Sequence, residues 1–205
     1  METLEFVPLG SKRLTVLFIQ KSKEPNEDEL LGLKDMIETC APEFAAEELG
    51  ERTIDDFYKK DSYARLFQEE GVMIYPVDIS EYAKLSISAI ALEKRRLAEM
   101  TEASCKDKAN AEYVKAYASV LRDEYESMRR EEEISIRNDW MVKGILESAH
   151  RFVKNDIICL FIGDKKHWRG MKETLQGLGA ETHEVSALGD IKKFMEKHAE
   201  IISGS

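Results

Sequence analysis

A chain of 205 residues and 23.5 kDa has room for one domain, or for one domain carrying a large insertion. With 43% hydrophobic and 34% charged residues it can build a core under a heavily charged surface, and only 4 prolines and 11 glycines exclude a collagen-like or low-complexity chain. Its 40 acidic against 30 basic residues give a net charge of −10, which argues against the Lys/Arg surplus that a nucleic-acid binder uses to displace phosphate counterions.

The first element in chain order is the run Leu14 to Ile19, β-branched and apolar on both faces, which predicts a buried strand. Asn26 is a suitable cap for a helix whose first turn is acidic and whose apolar positions are Leu30, Leu33, Ile37 and Cys40; Pro42 ends it. Phe44 to Leu49 predicts a second strand, weakened by its alanines and glutamates. Thr53 is read as the cap of one helix carrying Phe57, Tyr63, Leu66 and Phe67 and stopping near Gly71. Val72 to Val77 is the third strand, and Pro76 in it predicts an edge position or the end of regular pairing.

From Glu81 to about Glu133 there is neither proline nor glycine, and the stretch is rich in Ala, Glu, Lys, Arg and Leu. Tyr82, Leu85, Ala89, Leu92 and Leu97 form one apolar stripe; Tyr113, Ala116, Tyr117, Val120, Tyr125 and Met128 form another. With Cys105 to Asn110 as the turn, residues 81–133 are expected to form a long antiparallel helical hairpin inserted into a single α/β domain spanning 1–205. A helix from about Ile136 to Phe152 returns the chain to a strand at Asp156 to Gly163, a helix at Trp168 to Leu178 stopped by Gly179, a strand at Glu181 to Val185, and a closing helix at Asp190 to Ile202. The alternation predicts a mostly parallel sheet of about five strands flanked by helices.

The 3 cysteines, Cys40, Cys105 and Cys159, are far apart and have no Cys-x-x-Cys spacing, so neither a disulfide framework nor a thiolate zinc site is expected. The acidic start of the chain lacks the basic region of a secretory signal, and no apolar run approaches the roughly 20 residues that cross a bilayer. The expectation is a soluble cytoplasmic protein with reduced thiols and no membrane contact.

Ligands of open parallel sheets bind beyond the carboxyl ends of the strands. That rule selects Lys23 after the first strand, Glu48 and then Arg52 after the second, Asp78 after the third, and Asp164, His167 and Arg169 after the fourth. Gly163 stands between a strand and a helix, but a lone glycine is no G-x-G-x-x-G set, so a nucleotide cradle is not expected. His150, His183 and His198 are read as structural or solvent-facing.

Pro42-Glu-Phe-Ala-Ala-Glu-Glu48-Leu49-Gly50-Glu51-Arg52 resembles the second-strand signature of the TraB/PrgY family, which includes Tiki-like proteins. Arg137-Asn138-Asp139-Trp140-Met141 resembles the family's Arg-Asn/Asp-x-x-Met helix start, and Ile157 to Leu178, with Gly163, His167 and Gly170, is similar to its strand–Gly-x-x-His–helix segment. ChaN-like and erythromycin-esterase-like proteins share the broad architecture. The resemblance implies a metal-dependent peptidase or hydrolase site involving Glu48, Arg52, Arg137 and His167. Two departures stand out. Where the family's first strand ends in Gly-x-x-His, this chain has Gln20-Lys21-Ser22-Lys23, and Gly163 to His167 is stretched to Gly-x-x-x-His.

Zinc or manganese catalysis uses about three protein ligands around an open position. Glu48, Asp78 and His167 are the set that reaches that number. With one family histidine absent, the expected function is the binding of a small anionic ligand or peptide at the carboxyl edge, with weak or no hydrolase activity. Lys23, Arg52, Arg137 and His167 supply the positive charge for it, and Asp78, Asp164 and Arg169 adjoin the site. The alternatives are a metal-dependent hydrolase, in which Glu48 acts as base or ligand, and an interaction scaffold that forms a homodimer through the hairpin.

Overall fold

The computed structural model describes residues 4–59, 62–104 and 111–203. Its elements are β1 (Arg13–Gln20), α1 (Glu27–Cys40), β2 (Phe44–Glu47), a 3-10 turn (Ile54–Phe57), α2 (Tyr63–Glu69), β3 (Met73–Pro76), α3 (Glu81–Ser104), α4 (Ala111–Arg130), a π-helical stretch (Glu131–Ile136), α5 (Arg137–Ala149), β4 (Asp156–Gly163), α6 (Lys165–Gly177), β5 (Glu181–Val185) and α7 (Leu188–Ser203). The five strands form one all-parallel sheet in the order β3-β2-β4-β1-β5. The chain divides into two compact units, Ile79–Asn138 and the remainder on either side of it.

Local chemistry explains most element boundaries. Asn26 Oδ1 accepts from the Glu29 N–H at 2.9 Å while the Glu29 carboxylate accepts from the Asn26 N–H at 3.1 Å, a reciprocal cap that opens α1. Asp164 caps α6, its carboxylate accepting from the Lys166 N–H at 3.2 Å. The helix expected from Thr53 onward is two pieces. Asp56 closes the 3-10 turn onto Thr53, and α2 has its own cap in Ser62, whose hydroxyl accepts from the Arg65 N–H at 3.2 Å.

Alternation within the strands divides the core into two layers. Leu14, Val16, Phe18, Phe44, Ala46, Cys159 and Phe161 face α5 and α6, whereas Leu17, Ala45, Leu160 and Ile162 face α1, α2 and α7. The alanines that weaken β2 as an isolated strand suit its position between β3 and β4, where all four of its residues are buried. Pro76 ends β3 at the sheet edge, where no ladder partner needs its missing N–H.

In the other unit, Ala98, Ala118 and Leu121 form a small buried cluster between α3 and α4. The stripes expected to pack are instead largely exposed: Tyr82, Leu85, Leu92, Leu97, Tyr113, Tyr117 and Val120 are all at the surface. Small residues allow closer backbone approach than the large ones the pattern singles out. The expected turn at 105–110 lies outside the described residues. No described helix is long and apolar enough to cross a membrane.

Candidate functional site

Parallel register brings the carboxyl ends of the central strands level: Gln20 lies beside Gly163, and Glu47 beside both Ile162 and Pro76. Because successive side chains point to opposite faces of a sheet, the consecutive residues Glu47 and Glu48 enter different layers. Glu48 follows Phe44 and Ala46 toward α6, and Glu47 follows Ala45 toward α1 and α2.

On the α6 side Glu48 acts as an internal anion at a helix start. Its Oε2 accepts from the Asp164 N–H at 2.6 Å, and its Oε1 stands 3.3 Å from His167 Nε2. The carboxylate therefore occupies the position that an external phosphate or carboxylate would take at the positive end of α6. Gly163 permits this closeness. A Cβ there would lie 2.4 Å from the Phe161 ring and 3.3 Å from Glu48 Oε2. Trp168 Nε1 donates to the Gly163 carbonyl at 3.2 Å and closes the turn from inside. His167 has 0% exposure, so a substrate has no direct path to its ring.

On the opposite side Glu47 receives two cations. Lys21 Nζ lies 2.9 Å from Glu47 Oε1 and donates to the Glu48 carbonyl at 2.8 Å. Arg52 pairs with Glu47 Oε2 and stacks on Phe57, its charged carbon 5.7 Å from the ring centroid. Two cations on one carboxylate leave a residual positive charge, held rigidly because Arg52 and Glu47 are both buried.

Of this group Lys21 lines an open cleft of about 680 Å³, whose other walls are the ends of β1 and β5, α1, Tyr63 and the start of α6. The cleft lies at the point where β1 leads to α1 on one face while its neighbour β4 leads to α6 on the other, the topological switch point of an open parallel sheet. Lys165 enters it from α6 and lies over the Trp168 ring at 5.5 Å, with no carboxylate partner among the described residues. The Tyr63 hydroxyl accepts from the Ser22 N–H at 2.9 Å, and burial raises the tyrosine's pKa above its ordinary value. Glu29 and Glu184 also line the cleft, but Glu29 is held by the α1 cap and Glu184 by Lys172 at 2.7 Å.

The structure thus brings together only part of the expected set. Glu48 and His167 meet, but Arg52 belongs to Glu47. Lys21, and not Lys23, reaches inward from the end of β1; Lys23 is exposed. Asp164 serves as a helix cap, and Arg169 is an exposed residue paired with Glu173 at 3.0 Å. Asp78 is buried, its backbone N–H bonded to the Leu49 carbonyl at 3.1 Å. Among the described residues no three His, Cys, Asp or Glu side chains gather as a metal-binding group, so Glu48, Asp78 and His167 do not form the expected ligand set. Arg137 opens α5 and falls in the other compact unit.

Glu47, Lys21 and Tyr63 are the residues that sequence reasoning passed over. The usable signal was the period of two: adjacent glutamates at a strand end cannot serve the same face. Cys40 and Cys159 are buried thiols, Cys40 pushed up to about 12 by burial and Cys159 raised by the same cause, which keeps both protonated and unreactive. His150 bonds the Pro8 carbonyl at 3.0 Å, and His183 meets Glu181 at 2.8 Å. No family model, curated protein or solved structure matches this chain.

Proposed function

We propose that this protein binds a small anionic molecule, or the carboxylate of a peptide, in the cleft at the carboxyl edge of its sheet, with weak or no hydrolase activity. The observation that carries the reading is the position of Lys21 and Lys165 on a cleft of about 680 Å³ at the topological switch point. Residual positive charge from the Lys21–Glu47–Arg52 group favours an anion, and apolar residues beside it bury the rest of a ligand. A thermal-shift screen of anionic metabolites tests this. Concentration-dependent stabilisation by at least one, weakened in Lys165→Glu, is expected, whereas a panel in which none stabilises the protein rejects it.

The TraB-like ancestry is part of the same proposal. Its support is the motif set around Glu48, Arg137 and His167 together with the order of strands and helices. A second reading, a metal-dependent hydrolase, is favoured by one observation, the approach of His167 to Glu48. Elemental analysis of the purified protein and ester or peptide turnover with and without chelator test it; metal-free protein without chelator-sensitive turnover rejects it.

We also infer that α3 and α4 form an antiparallel hairpin inserted after β3. Ala98 and Ala118, which lie on either side of residues 105–110, share one buried cluster, as antiparallel neighbours would. The exposed stripe on these helices favours a scaffold role in which two copies associate through the hairpin. Tyr117→Glu then converts a dimer to a monomer in light scattering, and an unchanged mass removes this role. A cytoplasmic location accompanies the whole reading.

A further inference from the structure

Gly32 lies inside α1 on the wall of the cleft. Glycine weakens a helix interior relative to alanine, so its presence there calls for a reason. Packing within the protein supplies none, because a Cβ at Gly32 would meet no atom within 4 Å. What the missing side chain leaves is room in a cleft whose lining includes the apolar Leu33, Met36 and Val185 as well as Lys21 and Lys165.

Chemistry at that cationic end distinguishes the kinds of anion. A bound phosphate carries up to two negative charges and three acceptor oxygens, and open parallel sheets meet them with backbone N–H groups at a helix start. Here the start of α6 is already engaged: Asp164 N–H donates to Glu48, Lys165 N–H to Gln20 at 3.2 Å, and Lys166 N–H to Asp164. Lys21 shares the Glu47 carboxylate with Arg52, which leaves Lys165 as the one cation of the cleft wall without a carboxylate partner among the described residues. The Tyr63 O–H is directed to no acceptor among the described residues and can donate to a bound oxygen. One exposed ammonium, one ammonium already paired with a carboxylate and one phenol suit a single carboxylate better than a phosphate.

We propose that the ligand is a monocarboxylic acid with an apolar body, its carboxylate held by Lys165, Lys21 and the Tyr63 hydroxyl and its body lying along α1 over Gly32. This rests on the anion-binding reading above and narrows it to one chemical class.

Calorimetric titration of the full chain with octanoate, octyl phosphate and 1-octanol tests it, in the wild type and in two variants. Lys165→Glu alters only a surface side chain. Gly32→Trp fills the cleft from a position where the helix gains from losing its glycine. Octanoate is expected to bind about tenfold or more tightly than either other probe, to weaken by about tenfold in Lys165→Glu, and to lose detectable binding in Gly32→Trp. Octyl phosphate binding as tightly as octanoate, with the same dependence on both variants, overturns the carboxylate class and leaves the anion site standing. Octanoate binding unchanged in Gly32→Trp overturns the location. Failure of both anions to bind the wild type overturns this inference, whereas rejection of the anion-binding reading itself requires that the wider metabolite screen also fails.

Discussion

Glu47 and Glu48 are neighbours in the chain but face opposite layers and meet opposite kinds of partner. Glu48 looks toward α6, where a backbone N–H, the helix dipole and a buried histidine take up its charge. Glu47 looks toward α1 and α2, where Lys21 and Arg52 together exceed its charge and Lys21 lines an open cleft. One half of the strand edge is sealed and the other is accessible. Side-chain type at a strand end therefore says less about function than the face it takes, because access to solvent decides whether chemistry can reach it.

Breaking the two halves separately should give effects of different size. Glu47→Ala leaves Arg52 buried without its carboxylate, and loss of one partner of a buried pair costs about 3–5 kcal/mol. Urea denaturation is expected to show a fall of that order, the largest at this edge. Gly163→Ala forces a methyl group against the Phe161 ring and toward Glu48, and overpacking of this kind costs about 1–3 kcal/mol. Its midpoint in the same experiment should fall less than that of Glu47→Ala. Glu48→Gln keeps an acceptor for the Asp164 N–H but removes the charge assistance, a loss of about 1 kcal/mol with anion affinity unchanged in calorimetry. Arg169→Ala removes an exposed side chain on the outer surface of α6 and should change stability by less than about 0.5 kcal/mol. An effect of Arg169→Ala comparable to that of Glu47→Ala would erase the contrast between surface and buried charge at this edge.

Much of the sheet was legible in the sequence because local signals and tertiary context agree there. Asn26 caps α1 and Thr53 caps the 3-10 turn, Pro42 and Pro76 end elements, and the apolar runs of β1 and β4 suit central parallel strands. The break between Ile54–Phe57 and Tyr63–Glu69 was missed because Phe57 and Tyr63 both fit a helical stripe, and that stripe was given more weight than the local hydrogen bonds of Asp56 and Ser62 that separate the two pieces. In α3 and α4 two of the three buried cluster residues, Ala98 and Ala118, are alanines, which a hydrophobicity pattern hardly registers beside tyrosine and leucine.

The site was legible as a region and not as a set of partners. The strand-end rule points to the edge that carries the cleft, and two of the residues it selects, Glu48 and His167, stand 3.3 Å apart. Lys23 was preferred to Lys21 because it stands where the Gly-x-x-His pattern places its histidine, whereas Lys21, the first residue past β1, is the one that reaches Glu47. Gly32 carried the same kind of hidden information. In sequence it is a weak point in a helix, and only the cleft beside it gives that weakness a reason.

The most direct test of the open-cleft account is a calorimetric titration of octanoate into three proteins: wild type, Gly32→Trp and Glu48→Gln. The account predicts binding to the wild type and to Glu48→Gln with similar affinity, and none to Gly32→Trp. Binding that survives in Gly32→Trp and disappears in Glu48→Gln would contradict it, and would move the functional centre to the sealed side beside His167.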